Sequence, residues 1–177
     1  MKKYLLLAAF LPFVLAACKK SGGSGSSGGT YYMKFKLSGT QKSYSTVAGV
    51  MSEANGYHTL VLSGAAASSA QGGEAMNILL NSDDAFTAGE TFNAEMLAGT
   101  PAIQALLSYA DNSLSGKGYT SSYPNLTPDA TAQVTISSIS ATQVKGTFSC
   151  KLVDESDFTT VKYTVTEGEF NIRLTPQ

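Results

Sequence analysis

Side chains able to do chemistry are few in this chain and scattered. There is one histidine, His58, and there are two cysteines, Cys18 and Cys150. Covalent catalysis needs a nucleophile within hydrogen-bond reach of a base, with the base held by a third group. His58 has no Asp or Cys close by in sequence, so it reads as a satisfied or surface histidine rather than a base. The same shortage of His and Cys rules out most zinc sites. Asp83-Asp84 and Asp154-Glu155-Ser156-Asp157 could offer oxygens to Ca²⁺. Neither follows the spaced D-x-D-x-D-G loop with its terminal Glu, so both read as solvated acidic turns. Carboxylates for glycoside hydrolysis must converge in a cleft, and here they are confined to turns. The glycines between Gly22 and Gly29 follow no strand and precede no Lys-Ser/Thr, so they are not a phosphate loop. The expectation is a non-enzyme with no metal and no cofactor.

Tyrosine is the one enriched type, with nine copies and no Trp. Tyr119 and Tyr123 are four apart and share a face of any strand that holds both. Together with Tyr109 they form a candidate binding rim that could stack sugar rings or greasy ligands. The alternative is tyrosine packed at sheet edges with its hydroxyl wet. Cys150 lies in an alternating stretch. Val144, Phe148, Cys150 and Leu152 share one parity; Lys145, Thr147, Ser149 and Lys151 share the other. Cys150 therefore faces a core, where a free thiol acts as a small hydrophobe.

The elements that must position these residues follow a period of two almost throughout. Met33, Phe35 and Leu37 alternate with polar neighbours, and Ser38-Gly39-Thr40 turns the chain. Residues 41–51 return as a strand carrying Tyr44 and Val47. Asn55-Gly56 is a turn, and residues 58–63 and 74–81 are strands on either side of a small, polar stretch. Residues 86–92 enter a short strand. Residues 94–99 allow one helical turn, and 102–110 fit either a strand or a short helix. Residues 118–123 read as strand, and Pro124 and Pro128 bracket a loop. Residues 133–139 and 143–153 are strands hinged at Ser140-Ala141-Thr142. Inward parity then switches from Val161, Tyr163 and Val165 to Phe170, Ile172 and Leu174. A bulge at Gly168 explains that switch better than a hairpin turn. The sum is an all-β domain of about eight to ten short strands, an antiparallel β-sandwich or a lipocalin-like β-barrel.

The chain has 177 residues, of which 147 follow residue 30. That is one domain's length, enough for a core that needs no disulfide or metal. Charged residues are only 14%. Lys+Arg is 12 against 13 Asp+Glu; leaving out Lys2, Lys3, Lys19 and Lys20 gives 8 against 13, a domain near −5. Nucleic acid calls for a basic patch, so it is not an expected partner.

At the N-terminus, Met1-Lys2-Lys3 is basic and Tyr4–Val14 is an apolar run of 11 residues. That is too short to span a bilayer, which takes about 20 residues, and it suits a signal peptide over residues 1–17. Leu15-Ala16-Ala17-Cys18 resembles a bacterial lipobox. The resemblance implies cleavage before Cys18 and lipidation of its sulfur, with two or three acyl chains making a stable anchor. Residues 19–30 are a Gly/Ser tether with a reach of roughly 20 Å. With Cys18 acylated, Cys150 has no disulfide partner.

Further pieces resemble uncharacterised outer-membrane lipoproteins of Bacteroidota. They are Phe35-Lys36-Leu37-Ser38-Gly39, then Lys145-Gly146-Thr147-Phe148-Ser149, then Val165-Thr166-Glu167-Gly168-Glu169-Phe170. A G-T-F strand followed by T-x-G-x-F is the most distinctive of them. This chain departs in having Tyr44 near the place of a usual Trp. The resemblance implies an all-β domain on the cell envelope and no known activity. Lys19-Lys20 stand where surface-exported relatives carry acidic residues, which leans toward the periplasmic side, with surface exposure as the alternative. The expected function is thus an envelope-anchored lipoprotein acting as a ligand- or partner-binding β-module, with a glycan, a lipid or an envelope protein as candidate partner. A structural envelope protein without a pocket is the second reading.

Overall fold

The computed structural model describes residues 31–66, 73–96, 103–111, 117–121, 131–156 and 160–175. Cys18, the signal segment, the tether and Tyr123 lie outside the described residues. Among the described residues there are eleven strands: β1 (Tyr32–Leu37), β2 (Thr40–Tyr44), β3 (Thr46–Ala54), β4 (Tyr57–Ala65), β5 (Ala75–Ser82), β6 (Thr91–Asn93), β7 (Ala105–Ala110), β8 (Gly118–Thr120), β9 (Ala132–Ser140), β10 (Gln143–Asp154) and β11 (Val161–Thr175). The expected single strand over 41–51 is two. The chain breaks at Ser45, leaves the edge of β1 and pairs instead with β4. The stretch open to strand or helix is strand β7.

The strands form one sheet in the order β2-β1-β11-β3-β4-β5-β7-β8-β10-β9-β6, and β11 also pairs with β10. That extra pairing closes a circuit of seven strands: β11, β3, β4, β5, β7, β8 and β10. Two short contacts complete the ring. Leu174 and Thr175 pair in parallel with Gly49 and Val50, and Val153 and Asp154 pair antiparallel with Thr120 and Tyr119. They sit at opposite ends of the long β10–β11 pair, so the sheet wraps into a barrel-like fold. Closure leaves fewer exposed edges for stray pairing.

Local sequence explains the turns. Ser38-Gly39 and Asn55-Gly56 all have positive φ, at 46° and 86° and at 55° and 81°. Two such residues in a row make the two-residue hairpin turn whose twist matches the flanking strands. The inner face is the predicted alternating set. Met33 and Phe35, Leu60 and Leu62, Met76, Ile78 and Leu80, and Val144, Phe148 and Leu152 belong to one continuous buried cluster. Cys150 is buried among them, and loss of water pushes its thiol far up, away from thiolate.

A bulge is present, as expected, but it lies at Thr166–Glu167, just before Gly168 rather than at it. Phe148 pairs with Gly168 and Cys150 with Val165, so β11 carries one residue more than its partner. β1 meets the same excess, because Lys34 faces Glu169 and Lys36 faces Thr166. Glu167 takes the left-handed conformation at φ 52°, and its carboxylate accepts from Lys36 Nζ at 2.7 Å. The G-T-F and G-x-F stretches also gain a physical meaning. In the ladder Gly146 faces Phe170 and Gly168 faces Phe148. A Cβ at Gly146 would strike the Phe170 ring, and one at Gly168 the Phe148 ring and carbonyl. Each glycine gives up its side chain so that the opposing ring can lie over bare backbone.

Candidate functional site

The ends of the barrel are where the sequence places polar groups on inward-facing positions. At one end Glu74, just before β5, gathers three donors. Lys42 Nζ lies 2.6 Å from Oε1, the Tyr109 hydroxyl donates to Oε1 at 3.0 Å, and the Tyr44 hydroxyl donates to Oε2 at 3.3 Å. These groups come from β2, β7 and the start of β5, so one carboxylate ties three strands together. Partial burial acts to raise the Glu74 pKa, but the hydrogen bonds from Lys42, Tyr109 and Tyr44 and the Lys42 charge outweigh it, so its carboxyl sits below the usual value. Burial, and then the neighbouring carboxylate, push the Tyr44 and Tyr109 hydroxyls well above theirs.

Tyr109 continues into a second group. Its ring centroid is 6.2 Å from Tyr119 and 5.7 Å from Tyr163, and Tyr119 and Tyr163 stand edge to face at 4.8 Å. The Tyr119 hydroxyl donates to Asp111 Oδ2 at 3.2 Å. Its pKa is raised by desolvation first, then by hydrogen bonding with Tyr163 and Asp111. The structure therefore brings Tyr109 and Tyr119 together, as the rim reading requires, but corrects their exposure. Tyr109 is 2% exposed and Tyr119 6%, so neither ring offers an open stacking face. The reason is parity: Tyr109 shares the inward face of β7 with Ala105 and Leu107. Tyr123, the third member of the rim, lies outside the described residues.

Among the described residues, the opposite end stays open. A cleft of about 450 Å³ is lined by Met51, Glu53, His58, Phe86, Ile139 and Ser140, among others. Met51 and Glu53 pair directly with Leu60 and His58 across the β3–β4 hairpin. Directly opposed residues share a face, so Glu53 and His58 stand on the same inward side as the core residue Leu60. Ile139 faces Val144 of the core in the β9–β10 pairing. Phe86 closes the floor, with its ring 5.4 Å from Phe92 and edge-on to His58 at 6.5 Å. His58 Nδ1 is 3.9 Å from Glu53 Oε2, longer than a hydrogen bond. The pair is ionic only when the imidazole is protonated. His58 has no Asp or Cys close by in sequence; its partner is Glu53, which the two-residue Asn55-Gly56 turn sets opposite it.

The remaining candidates are plain. Asp83 and Asp84 are exposed after β5, and Ser82 Oγ accepts from the Asp84 N–H at 3.1 Å. Asp154 accepts from the Ser156 N–H at 2.9 Å and from its hydroxyl at 2.6 Å. Those two bonds hold the Asp154 carboxyl below its usual value. Among the described residues, no group of three or more His, Cys, Asp or Glu is placed to hold a metal ion. A second, polar groove of about 370 Å³ runs past Gln133, Thr135, Thr147, Ser149, Glu167 and Glu169 on the outer face. Comparison with known proteins found no matching family model, no matching curated sequence and no matching solved structure.

Proposed function

We propose that this chain is a lipid-anchored outer-membrane lipoprotein, facing the periplasm, whose β domain is a non-enzymatic binding module. The observation that carries the binding part is the contrast between a barrel filled by one continuous core and a mouth left open beside His58. A filled interior leaves ligands the ends and outer faces, and barrel mouths are a common place for small-molecule sites. The Cys150 thiol is buried and held protonated, which suits packing rather than nucleophilic attack. The Leu15-Ala16-Ala17-Cys18 sequence supports the anchor. The structural-protein reading draws on the same filled core, but it gives no account of two polar residues turned into the mouth.

Two measurements test this. Mass spectrometry of the mature protein should show Cys18 at the N-terminus carrying acyl chains, and Cys18→Ser should leave the protein unprocessed or free of membranes. An unmodified Cys18 ends the anchor proposal. Methyl-resolved NMR of the protein titrated with envelope glycans and lipids should shift Met51 and Ile139. A ligand that moves only residues elsewhere would remove the mouth as the site, and catalytic turnover of any ligand would change the class.

A further inference from the structure

We infer that the open mouth takes a small organic cation with an apolar body, its ammonium against Glu53 and its hydrocarbon against Met51, Ile139 and Phe86. This rests on the binding-module reading and adds the chemistry of the ligand.

The cleft's size comes first. About 450 Å³ falls within the roughly 300–1,000 Å³ of small-molecule sites, which pair apolar walls with a few convergent polar groups. Here the walls are Met51, Phe86 and Ile139, and the polar groups include Glu53 and His58. The sign of the charge comes second. The inward positions deeper along the same strands are apolar: Leu60 and Leu62 on β4, Ile78 and Leu80 on β5. At the mouth the pattern changes, and a carboxylate and an imidazole take the directly opposed inward pair. Asp83 and Asp84 precede Ala85 and Phe86 on the segment that forms the floor, and both are exposed. The basic residues on the neighbouring strands point the other way. Arg173 is exposed between buried Ile172 and Leu174, and Lys145 is exposed between buried Val144 and Gly146. The mouth is thus acidic on an acidic domain.

An anion would have to sit beside Glu53, with one imidazole nitrogen already turned toward that carboxylate at 3.9 Å. A neutral hydrocarbon would take water from part of the carboxylate and pair it with nothing. A cation meets the carboxylate, and its body covers the half-buried Met51 and Ile139 and the exposed edge of the mostly buried Phe86.

The test uses the full protein purified from membranes in mild detergent, with labelled methyl groups. Three probes of one shape are titrated: 2-phenylethylammonium, 2-phenylethanol and phenylacetate. The ammonium should shift the Met51 and Ile139 methyls and bind about five-fold more tightly than the alcohol, as expected for a solvent-touched charge pair. Phenylacetate should bind weakest. Glu53→Gln, at a side chain 65% exposed and so tolerant of change, should bring the ammonium down to the alcohol. Equal binding of all three probes at these methyls, or an ammonium preference that survives Glu53→Gln, overturns the cation inference and leaves the mouth as a site. No shift at Met51 and Ile139 with any probe overturns both.

Discussion

Glu74 and Glu53 are carboxylates at opposite ends of the same barrel, and their surroundings differ in kind. Glu74 has a cation at 2.6 Å and two hydroxyls within 3.3 Å. Its side chain is 22% exposed. Glu53 has one imidazole at 3.9 Å and is 65% exposed. A polar group taken from water must be hydrogen-bonded or it destabilises the fold. The Glu74 end meets that demand internally and becomes a stopper of polar groups. The Glu53 end leaves the demand to solvent or to a ligand. Two inward carboxylates can therefore serve opposite purposes, and the count of donors around each tells which.

Substitutions can break this contrast in a graded way. Glu74→Ala should have the largest effect, a loss of about 2–4 kcal/mol, because it leaves a lysine and two tyrosine hydroxyls partly buried and unpaired. Urea unfolding measures it, and a loss under about 0.5 kcal/mol would mean the stopper is decorative. Tyr109→Phe removes one hydrogen bond to a charged group and should cost about 1.5–3 kcal/mol by the same assay.

Acid should act through the same residue. The Glu74 carboxyl titrates lower in the folded protein than its ordinary 4.5. Its contribution is therefore complete above that value and is lost as pH falls through the folded pKa. Unfolding curves between pH 6 and pH 3 should show the decline, and Glu74→Gln should flatten it. At the open end, Glu53→Gln should change stability by less than about 0.5 kcal/mol, as expected for an exposed pair. A cost comparable to that of Glu74→Ala would erase the difference between the two ends.

Much of the scaffold was readable in the sequence, for local reasons. Strict alternation from Val144 to Leu152 set Cys150 inward. Asn55-Gly56 marks a turn in the sequence, and the structure makes it the hairpin that sets Glu53 opposite His58. The switch of parity before Phe170 placed the bulge to within two residues, at Gly168 against Thr166–Glu167 in the structure. What was not readable is long-range. Glu74 meets Tyr109 across 35 positions and Tyr44 across 30, and no local pattern announces either contact. Residues 102–110 fit either a strand or a short helix by pattern, so the pattern does not fix where the Tyr109 ring points, and tyrosine suits a wet edge and a buried face equally. The break at Ser45 was hidden because residues on either side of it are both extended; only the exchange of partners from β1 to β4 marks it.

The pairing of β1 with β11 has a consequence for how the chain comes to be folded at all. Tyr32 and Glu169 meet across 137 positions, and β11 also holds β10 and closes the ring against β3. A chain delivered N-terminus first by a ribosome exposes β1 early and β11 after every other strand. Until β11 emerges, β1 has β2 as its one strand partner and the circuit has a gap. Contacts this distant make folding slow.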